Sequence, residues 1–335
     1  MSGNLRGLGF VLGGFVLTAL VGCKKPDAGA SGGTATSPAV AAASAASATD
    51  REAEADAALS EKLAQYIECM NGMSDTIRRS HERYVDWADE KKGPTMNRAS
   101  TGLYEINTET CNAALAKAKA MPPPLPDLDP VVAAYQAATA VLVPLDNEAY
   151  KYYEQGNYKD DKLAKGKAMH QPLLAAFAKF FDASTAFEDK VGKLNDDLSQ
   201  RRLARLAKDP ARRLAYLVEK TEVDAKALVR ASHVKTLKQL DLASYTALVE
   251  SCEKTLTELD AYVTAHKDEA QKVDGIDSFK NDAQRFSKEA KELMRRKRDN
   301  KDFARESDSS EGHPAHVIEM YNSFIRAANR VRFTS

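Results

Sequence analysis

The chain has 335 residues, and its 48 lysine and arginine residues balance its 48 aspartate and glutamate residues. This net charge of zero argues against a protein built mainly to bind nucleic-acid phosphates. With 29% charged and 43% hydrophobic residues, the composition is that of a soluble folded protein rather than a disordered one. Glycine is scarce beyond residue 35 and β-branched runs are short, which argues against barrels, sandwiches and glycine-rich nucleotide-binding folds.

Residues 1–22 have the pattern of an export signal. Arg6 provides a positive charge, and an uncharged apolar run from Leu8 to Leu20 follows it. This run is too short to cross a bilayer as a mature helix, but it has the length of a signal-peptide core. It ends in Leu20-Val21-Gly22-Cys23, which resembles the lipobox of bacterial lipoproteins. The resemblance implies cleavage before Cys23 and acylation of its sulfur and new amino group. The alternative is an ordinary signal peptide, or an uncleaved anchor, with an unrelated cysteine.

Residues 23–52 are expected to form a lipidated, flexible tether. Almost all residues from 26 to 50 are Ala, Ser, Thr, Gly or Pro, a composition that cannot bury a core. Lys24 stands where enteric-type sorting reads an aspartate as a signal for retention in the inner membrane. Lys24 therefore favours the periplasmic face of the outer membrane. We expect the folded domain to cover residues 53–335.

The domain is predicted to be helical throughout, because its apolar residues recur with a period of 3.6 residues and no strand pattern occurs. Asp209-Pro210 is expected to separate two helices, and Pro144 to kink another. The predicted helices cover about residues 50–91, 108–120, 130–155, 160–208, 210–231, 241–267, 275–299 and 314–331.

The helix predicted over 160–208 carries a heptad pattern, with apolar or small residues at most a and d positions. The a positions are Leu163, His170, Phe177, Ser184, Val191 and Leu198, and the d positions are Gly166, Leu173, Phe180, Phe187 and Leu194. This pattern is typical of coiled-coil-like packing. We therefore predict an all-α fold, an elongated antiparallel helical bundle with long coiled-coil-like helices. It forms either one bundle or two parts with a boundary near 209–210. Glu188 and Lys190 lie off the seam and are expected to tolerate substitution.

Several motifs resemble the YiiG-like family of bacterial lipoproteins. They are Tyr66–Asn71, Gly93–Thr95, and Tyr152–Lys162 followed by Gly166, Lys167 and His170. Tyr321-Asn322 and Asn329 fit the family's C-terminal end, so the resemblance covers about residues 55–332. It implies a lipid-anchored, all-helical domain of unknown function, and it brings no catalytic residues to carry over.

Three cysteines remain besides Cys23. An exported protein meets an oxidising compartment, so Cys69 and Cys111 are expected to form a disulfide. The segment 93–107 is long enough to bring Cys111 back beside Cys69. The alternative is three separate buried thiols. Cys252 is left without a partner under the first interpretation.

Two groups of polar residues are candidates for binding. One is a possible ligand groove, for which the simpler alternative is a core histidine with helix-capping aspartates; its members are Tyr153, Tyr158, Asp160, Asp161, Lys162 and His170. The other is His313, His316 and Glu319, whose spacing places them on one helix face, as a divalent metal site requires. No fourth ligand is near, and a loop entering a helix is the alternative. We predict no metal and no cofactor.

The segments Arg201–Arg213 and Arg295–Arg298 are basic. They suit contact with anionic lipids or polymers, or simply form solvated helix faces. Aromatic residues do not interleave with them, so nucleic acid is not an expected partner. No catalytic motif is present.

The predicted function is therefore that of a lipid-anchored bacterial envelope protein, a non-catalytic structural or protein-interaction module. Its expected partners are the membrane, through Cys23, and another envelope protein or a cell-wall polymer. The alternative is a periplasmic module that binds a small ligand or a metal.

Overall fold

The architecture is taken from a computed structural model. It describes residues 38–96, 99, 103–303 and 305–333, and gives side chains from residue 50 onward. The predicted signal peptide, 1–22, and the lipidation site Cys23 lie outside the described residues.

The described part of the chain contains nine α-helices. They are α1 (Pro38–Trp87), α2 (Glu109–Ala120), α3 (Asp129–Glu154), α4 (Ala164–Leu206), α5 (Arg213–Ala231), α6 (Leu242–Ala265), α7 (Lys267–Ala270), α8 (Ile276–Arg298) and α9 (Pro314–Ala328). The strands β1 (Val273–Asp274) and β2 (Arg332–Phe333) form one short antiparallel pair. The predicted all-α class is confirmed. The β pair is too short to leave an alternating pattern in the sequence.

Helix α1 begins inside the segment predicted to be a flexible tether. Its first residue is Pro38, and it continues through the Ala- and Ser-rich residues up to Trp87. Alanine is the best helix former, and a helix that has been nucleated extends at little cost. The low apolar content of this segment excludes a core but not a helix. The tether predicted over residues 23–52 therefore stays a prediction.

The described helices divide into two compact units. The first contains Glu61–Asn195, and the second contains the described residues up to Ser60 and those from Asp196 onward. The division falls within α4, whereas the sequence suggested a boundary near 209–210. Asp209 does interrupt the chain, because its side chain accepts a hydrogen bond from the Ala211 N–H at 3.1 Å and caps the next turn. A helix break and a unit boundary are therefore separate features of this chain.

Within the first unit, α1 and α4 run antiparallel. Tyr84 contacts His170, and Ser74 contacts Ser184, so residue numbers rise along one helix as they fall along the other. Helix α2 is antiparallel to α1 by the same reasoning, since the Lys62 ammonium donates to the carbonyl of Met121 at 2.9 Å. Helix α3 runs parallel to α1, because Ser74 contacts Tyr135 and Ser80 contacts Asp146. Successive helices of this unit therefore alternate in direction, as the antiparallel prediction requires.

Aromatic rings fill the core of the first unit. The Tyr135 ring lies 5.3 Å from that of Phe180 and 5.1 Å from that of Phe187, and Phe187 also meets Tyr66 at 5.7 Å between centroids. All predicted a and d residues of the heptad pattern are buried except Leu194, which is half-buried. The repeat therefore marks the face of α4 that enters the core.

Helices α5, α6, α8 and α9 form the core of the second unit. The Phe279 and Phe324 rings lie 5.1 Å apart, and Phe286 and Tyr321 lie 5.4 Å apart, which places α8 and α9 antiparallel. None of the described helices is both long enough and apolar enough to cross a bilayer.

Replacing Phe180 with Ala should destabilise the protein strongly. The ring is fully buried, and Phe→Ala in a packed core costs about 3–5 kcal/mol. Thermal unfolding followed by circular dichroism measures the change. Lys190→Ala is the matched control on the same helix, because Lys190 is exposed and should change stability by less than about 0.5 kcal/mol.

Glu188, which the heptad pattern also marked as tolerant, is not a suitable control. It is half-buried and accepts a hydrogen bond from the Ser184 hydroxyl at 2.8 Å. Equal and negligible effects of Phe180→Ala and Lys190→Ala would contradict the packing described above.

Candidate functional site

The predicted groove residues lie where α3 ends and α4 begins. Tyr153, near the end of α3, is buried, and its ring packs edge-on against Trp87 at 4.9 Å and against Tyr152 at 4.9 Å. A Cβ atom placed on Gly166 would lie 2.6 Å from the Tyr153 hydroxyl. Only glycine fits at position 166, so the Tyr152–Lys162 motif and Gly166 are linked by packing.

His170 connects α4 to the end of α1. It is 3% exposed, and its Nε2 lies 3.0 Å from the Glu90 carbonyl oxygen. A carbonyl only accepts hydrogen bonds, so Nε2 carries a proton and donates, and Nδ1 forms a hydrogen bond with the Tyr84 hydroxyl at 2.9 Å. Both ring nitrogens are therefore used within the fold, which supports the interpretation of His170 as a core histidine.

Asp161 acts as a helix cap. One of its oxygens accepts from the Lys165 N–H at 2.9 Å, and the other accepts from the Tyr152 hydroxyl at 2.7 Å. The Tyr152 hydrogen bond is the main reason why the pKa of Asp161 is lowered. Asp160 and Lys162 are exposed on the neighbouring turn.

The six groove candidates are therefore not brought to one surface. Tyr153 and His170 point into the core, Tyr158 is half-buried, and the other three belong to an exposed turn or a cap. A broad open pocket of about 460 Å³ does lie at this end, but it is lined by residues that the prediction did not include. In this pocket Lys165 pairs with Glu148 at 2.8 Å.

Cys69 on α1 and Cys111 on α2 form a disulfide in the structure. Cys252 on α6 is a free, buried thiol. Burial raises the pKa of the Cys252 thiol to about 12, so it is protonated and unreactive at neutral pH.

His313, His316 and Glu319 do not form a metal site. The His313 Nδ1 accepts a hydrogen bond from the Ala315 N–H at 3.1 Å and caps α9. His316 instead faces carboxylates, with its Nδ1 3.3 Å from Glu319 and its Nε2 3.9 Å from Glu289. Among the described residues, no three His, Cys, Asp or Glu side chains converge as a metal requires.

The two basic segments form ion pairs within the second unit. Arg201 contacts the buried carboxylate of Asp56 at 2.8 Å, and Arg205 contacts its other oxygen. Arg296 donates two hydrogen bonds to Glu306, at 3.0 and 2.7 Å. These pairs favour the interpretation of the basic segments as structural helix faces.

Asp146 on α3 is a buried carboxyl group in the first unit. The Ser80 hydroxyl donates to one of its oxygens at 2.8 Å, and the other oxygen has no hydrogen-bond partner among the described residues. Ser80 in turn accepts from the Tyr104 N–H at 3.1 Å. Burial raises the pKa of Asp146 to about 7, so this group changes charge near neutral pH.

A second group of charged residues, of which Glu222 and Lys226 are buried, lines a pocket of about 160 Å³ between α4 and α5 of the second unit. Its wall contains Asp196 of α4 and Glu222 and Lys226 of α5. Lys226, 8% exposed, pairs with Asp196 at 2.7 Å, and Arg230 pairs with the other oxygen of Asp196 at 2.6 Å. Burial lowers the pKa of Lys226, while Asp196 acts in the opposite direction. We call this the α4–α5 pocket.

Glu222 has no such cation. It is 3% exposed, and its Oε2 has no hydrogen-bond partner among the described residues. Burial is the main cause that raises its pKa well above the ordinary value, and the like charge of Glu219 adds to the shift. The wall of the α4–α5 pocket thus includes a residue with a buried oxygen that lacks a partner among the described residues.

The sequence analysis missed these buried charges. Glu219, Glu222 and Lys226 fall on the same 3.6-residue stripe as Ala215, Val218, Ala225 and Val229, and all seven side chains are buried. Charged residues on an apolar stripe are the available signal. A count of charges on the helix does not reveal them, because α5 also carries exposed charges.

Comparison with known proteins identifies the family of this chain. Residues 57–330 match the model of a family described as "Protein of unknown function (DUF3829)". This chain belongs to that family. It is also 30% identical over 291 residues to "Uncharacterized protein YiiG" of Escherichia coli (strain K12), covering 82% of this chain and 80% of that protein. The resemblance inferred from the motifs is confirmed. No solved structure matches the chain.

The stability of this family member should fall as pH rises toward neutrality, because of Asp146. Its pKa of about 7 in the folded state lies above the ordinary 3.8, so the folded state keeps a proton that the unfolded chain loses. This contribution is full below about pH 4 and is lost as pH rises through about 7. Asp146→Asn should reduce the difference in unfolding free energy between about pH 5 and pH 8 by about 2 kcal/mol.

Urea denaturation at the two pH values measures this effect. Asp160→Asn is the control, because Asp160 is exposed and should leave the pH dependence unchanged. The same pH dependence in wild type and Asp146→Asn would show that Asp146 does not titrate near neutrality.

The disulfide is tested by peptide mapping of protein purified from cell envelopes without reductant. We expect Cys69 and Cys111 in one cross-linked peptide. Cys252 should react with an alkylating reagent only after unfolding, because it is buried. Free thiols at both Cys69 and Cys111 would contradict the pairing.

Proposed function

We propose that this protein is a lipid-anchored component of the bacterial envelope whose helical domain is a non-catalytic structural or protein-interaction module. The observation that carries the proposal is the distribution of cysteines. One stands at the end of an export-signal pattern, two form a disulfide, and one is buried and unreactive.

The disulfide supports export, because disulfides form in oxidising compartments such as the periplasm and are rare in the cytosol. It is independent of the N-terminal pattern, since Cys69 and Cys111 belong to the folded domain. Cys23 then supplies the anchor. Each buried CH₂ group of an acyl chain contributes about 0.8 kcal/mol, and two or more chains hold a protein stably on a membrane.

The anchor keeps the domain close to the membrane. The residues between Cys23 and Pro38 span at most about 50 Å when fully extended. Lys24 favours the outer membrane, so the domain is expected on its periplasmic face, within reach of other envelope proteins and of the cell wall.

The interaction role is supported by how the motif residues are used. His170 packs in the core, Asp161 caps a helix, and Gly166 allows the Tyr153 ring to approach the backbone closely. The family motif therefore maintains the fold rather than presenting reactive groups. Val141 of α3 is an exposed large hydrophobic residue, at 55% of its surface, and offers a contact point for a partner. The alternative is a metal-binding module, but the described residues provide no set of three converging ligands.

Replacing Cys23 with Ser should release the protein from the membrane fraction or leave it unprocessed, because the acyl acceptor is gone. Cell fractionation and labelling with a radioactive fatty acid measure the change. Cys252→Ser is the matched control and should remain labelled and membrane-bound. The wild-type protein should migrate with the outer membrane in a density gradient.

A mature Cys23→Ser protein that still needs detergent for extraction would contradict the anchor. The same cells test the interaction role when they are cross-linked before fractionation. We expect wild-type protein in a discrete larger species that contains another envelope protein or cell-wall polymer, and the species should decrease in Cys23→Ser cells. Monomeric protein throughout would contradict an interaction module.

A further inference from the structure

The α4–α5 pocket has properties that the proposed anchor and interaction roles do not use. At about 160 Å³ it is comparable to an engineered protein cavity of about 150 Å³ that binds benzene, so it has room for a ligand of about six non-hydrogen atoms. Val223 and Ala227 give it an apolar wall, and Glu222 and Asp196 give it acidic groups.

The cations of the pocket wall are already engaged. Lys226 and Arg230 lie at 2.7 and 2.6 Å from the two oxygens of Asp196. Asp196 is therefore neutralised, whereas Glu222 keeps an oxygen without a partner. A buried polar atom without a partner is destabilising, and more so if it is charged. The missing group for an ionised Glu222 is a hydrogen-bond donor, since Lys226 and Arg230 pair with Asp196 rather than with Glu222.

Other charged groups around Glu222 do not fill this role. Glu219, one turn earlier on α5, disfavours its charge, and Arg202 of α4 favours it without forming a hydrogen bond to it. Burial is the main cause that raises the pKa of Tyr321 on α9, and the negative charge of Glu222 raises it further.

We propose that the α4–α5 pocket binds a small primary amine, with its ammonium group on Glu222 and its short aliphatic stem against Val223 and Ala227. The ammonium donates up to three hydrogen bonds and forms a direct ion pair with an ionised Glu222. Hydrogen bonds between charged groups are about twice as strong as neutral ones. The proposal is independent of the anchor, so Cys23→Ser should not change this binding.

Binding is linked to proton release. Burial and the like charge of Glu219 raise the pKa of Glu222, and an ammonium ion beside it favours loss of its proton. Affinity should therefore rise as pH increases through the raised pKa of Glu222, as long as the amine itself remains protonated. Glu219→Gln removes the like charge and should move this rise to lower pH while binding is kept.

The test is a calorimetric titration of the full-length protein in detergent with n-butylamine, from about pH 6 to pH 9. We expect saturable binding that strengthens with pH. Glu222→Gln keeps the shape but cannot become charged, and it should lower the affinity about tenfold or more. Glu250→Gln on the exposed face of α6 should bind like wild type. Butanol and butyrate, which match the stem but lack the ammonium, should bind at least about tenfold more weakly.

Three outcomes would overturn the proposal. Absence of saturable n-butylamine binding at any pH would mean that the pocket holds only water. Equal affinity in wild type and in a folded Glu222→Gln variant, checked by circular dichroism, would place the amine elsewhere. Stronger binding of phosphoethanolamine than of n-butylamine would show that the pocket recognises a lipid head group rather than a free amine.

Discussion

The fold depends on the requirement that each long helix bury one apolar stripe along its length. In α4 the stripe is the heptad seam, and its Phe177, Phe180 and Phe187 rings are fully buried. A stripe of this length needs partners of comparable length, and helices joined by short connections meet that need when they alternate in direction. The antiparallel contacts in both units follow from this requirement.

Polar residues that fall on these stripes have only two outcomes. His170 is fully paired, through the Tyr84 hydroxyl and the Glu90 carbonyl, and it stabilises the junction between helices. Asp146 and Glu222 each keep an oxygen without a partner among the described residues. A fully paired side chain stabilises the contact between helices. An oxygen without a partner remains able to bind a proton or a ligand. The contrast is one of pairing rather than residue type, since all three side chains are buried and ionisable.

The sequence is informative where periodicity decides the structure. The heptads of α4 identify the buried face, and the helices predicted over 210–231 and 275–299 match α5 and α8 within a few residues. It is less informative where a residue's role depends on what lies opposite. Tyr153 and His170 are close to Asp160 in sequence, but helical geometry turns the first two into the core and leaves Asp160 in water. From the sequence alone, Glu222 resembles a surface charge. Only the packing of α4 against α5 shows that it is buried. Alanine content indicates flexibility and helix formation alike, so the sequence does not fix the residue at which α1 begins.

If the chain is exported as proposed, the positions of the thiols bear on how it matures. Cys69 and Cys111 are separated by 42 positions, and Cys252 follows much later in the sequence. A chain that crosses a membrane from its N-terminus exposes the first two cysteines to the oxidant while Cys252 is still on the other side. Short loops also close more readily than long ones. The native bridge is therefore favoured before a competing thiol arrives, and burial in the second unit then removes that competitor. The order of cysteines along the chain would thus favour the native pair over pairing with Cys252.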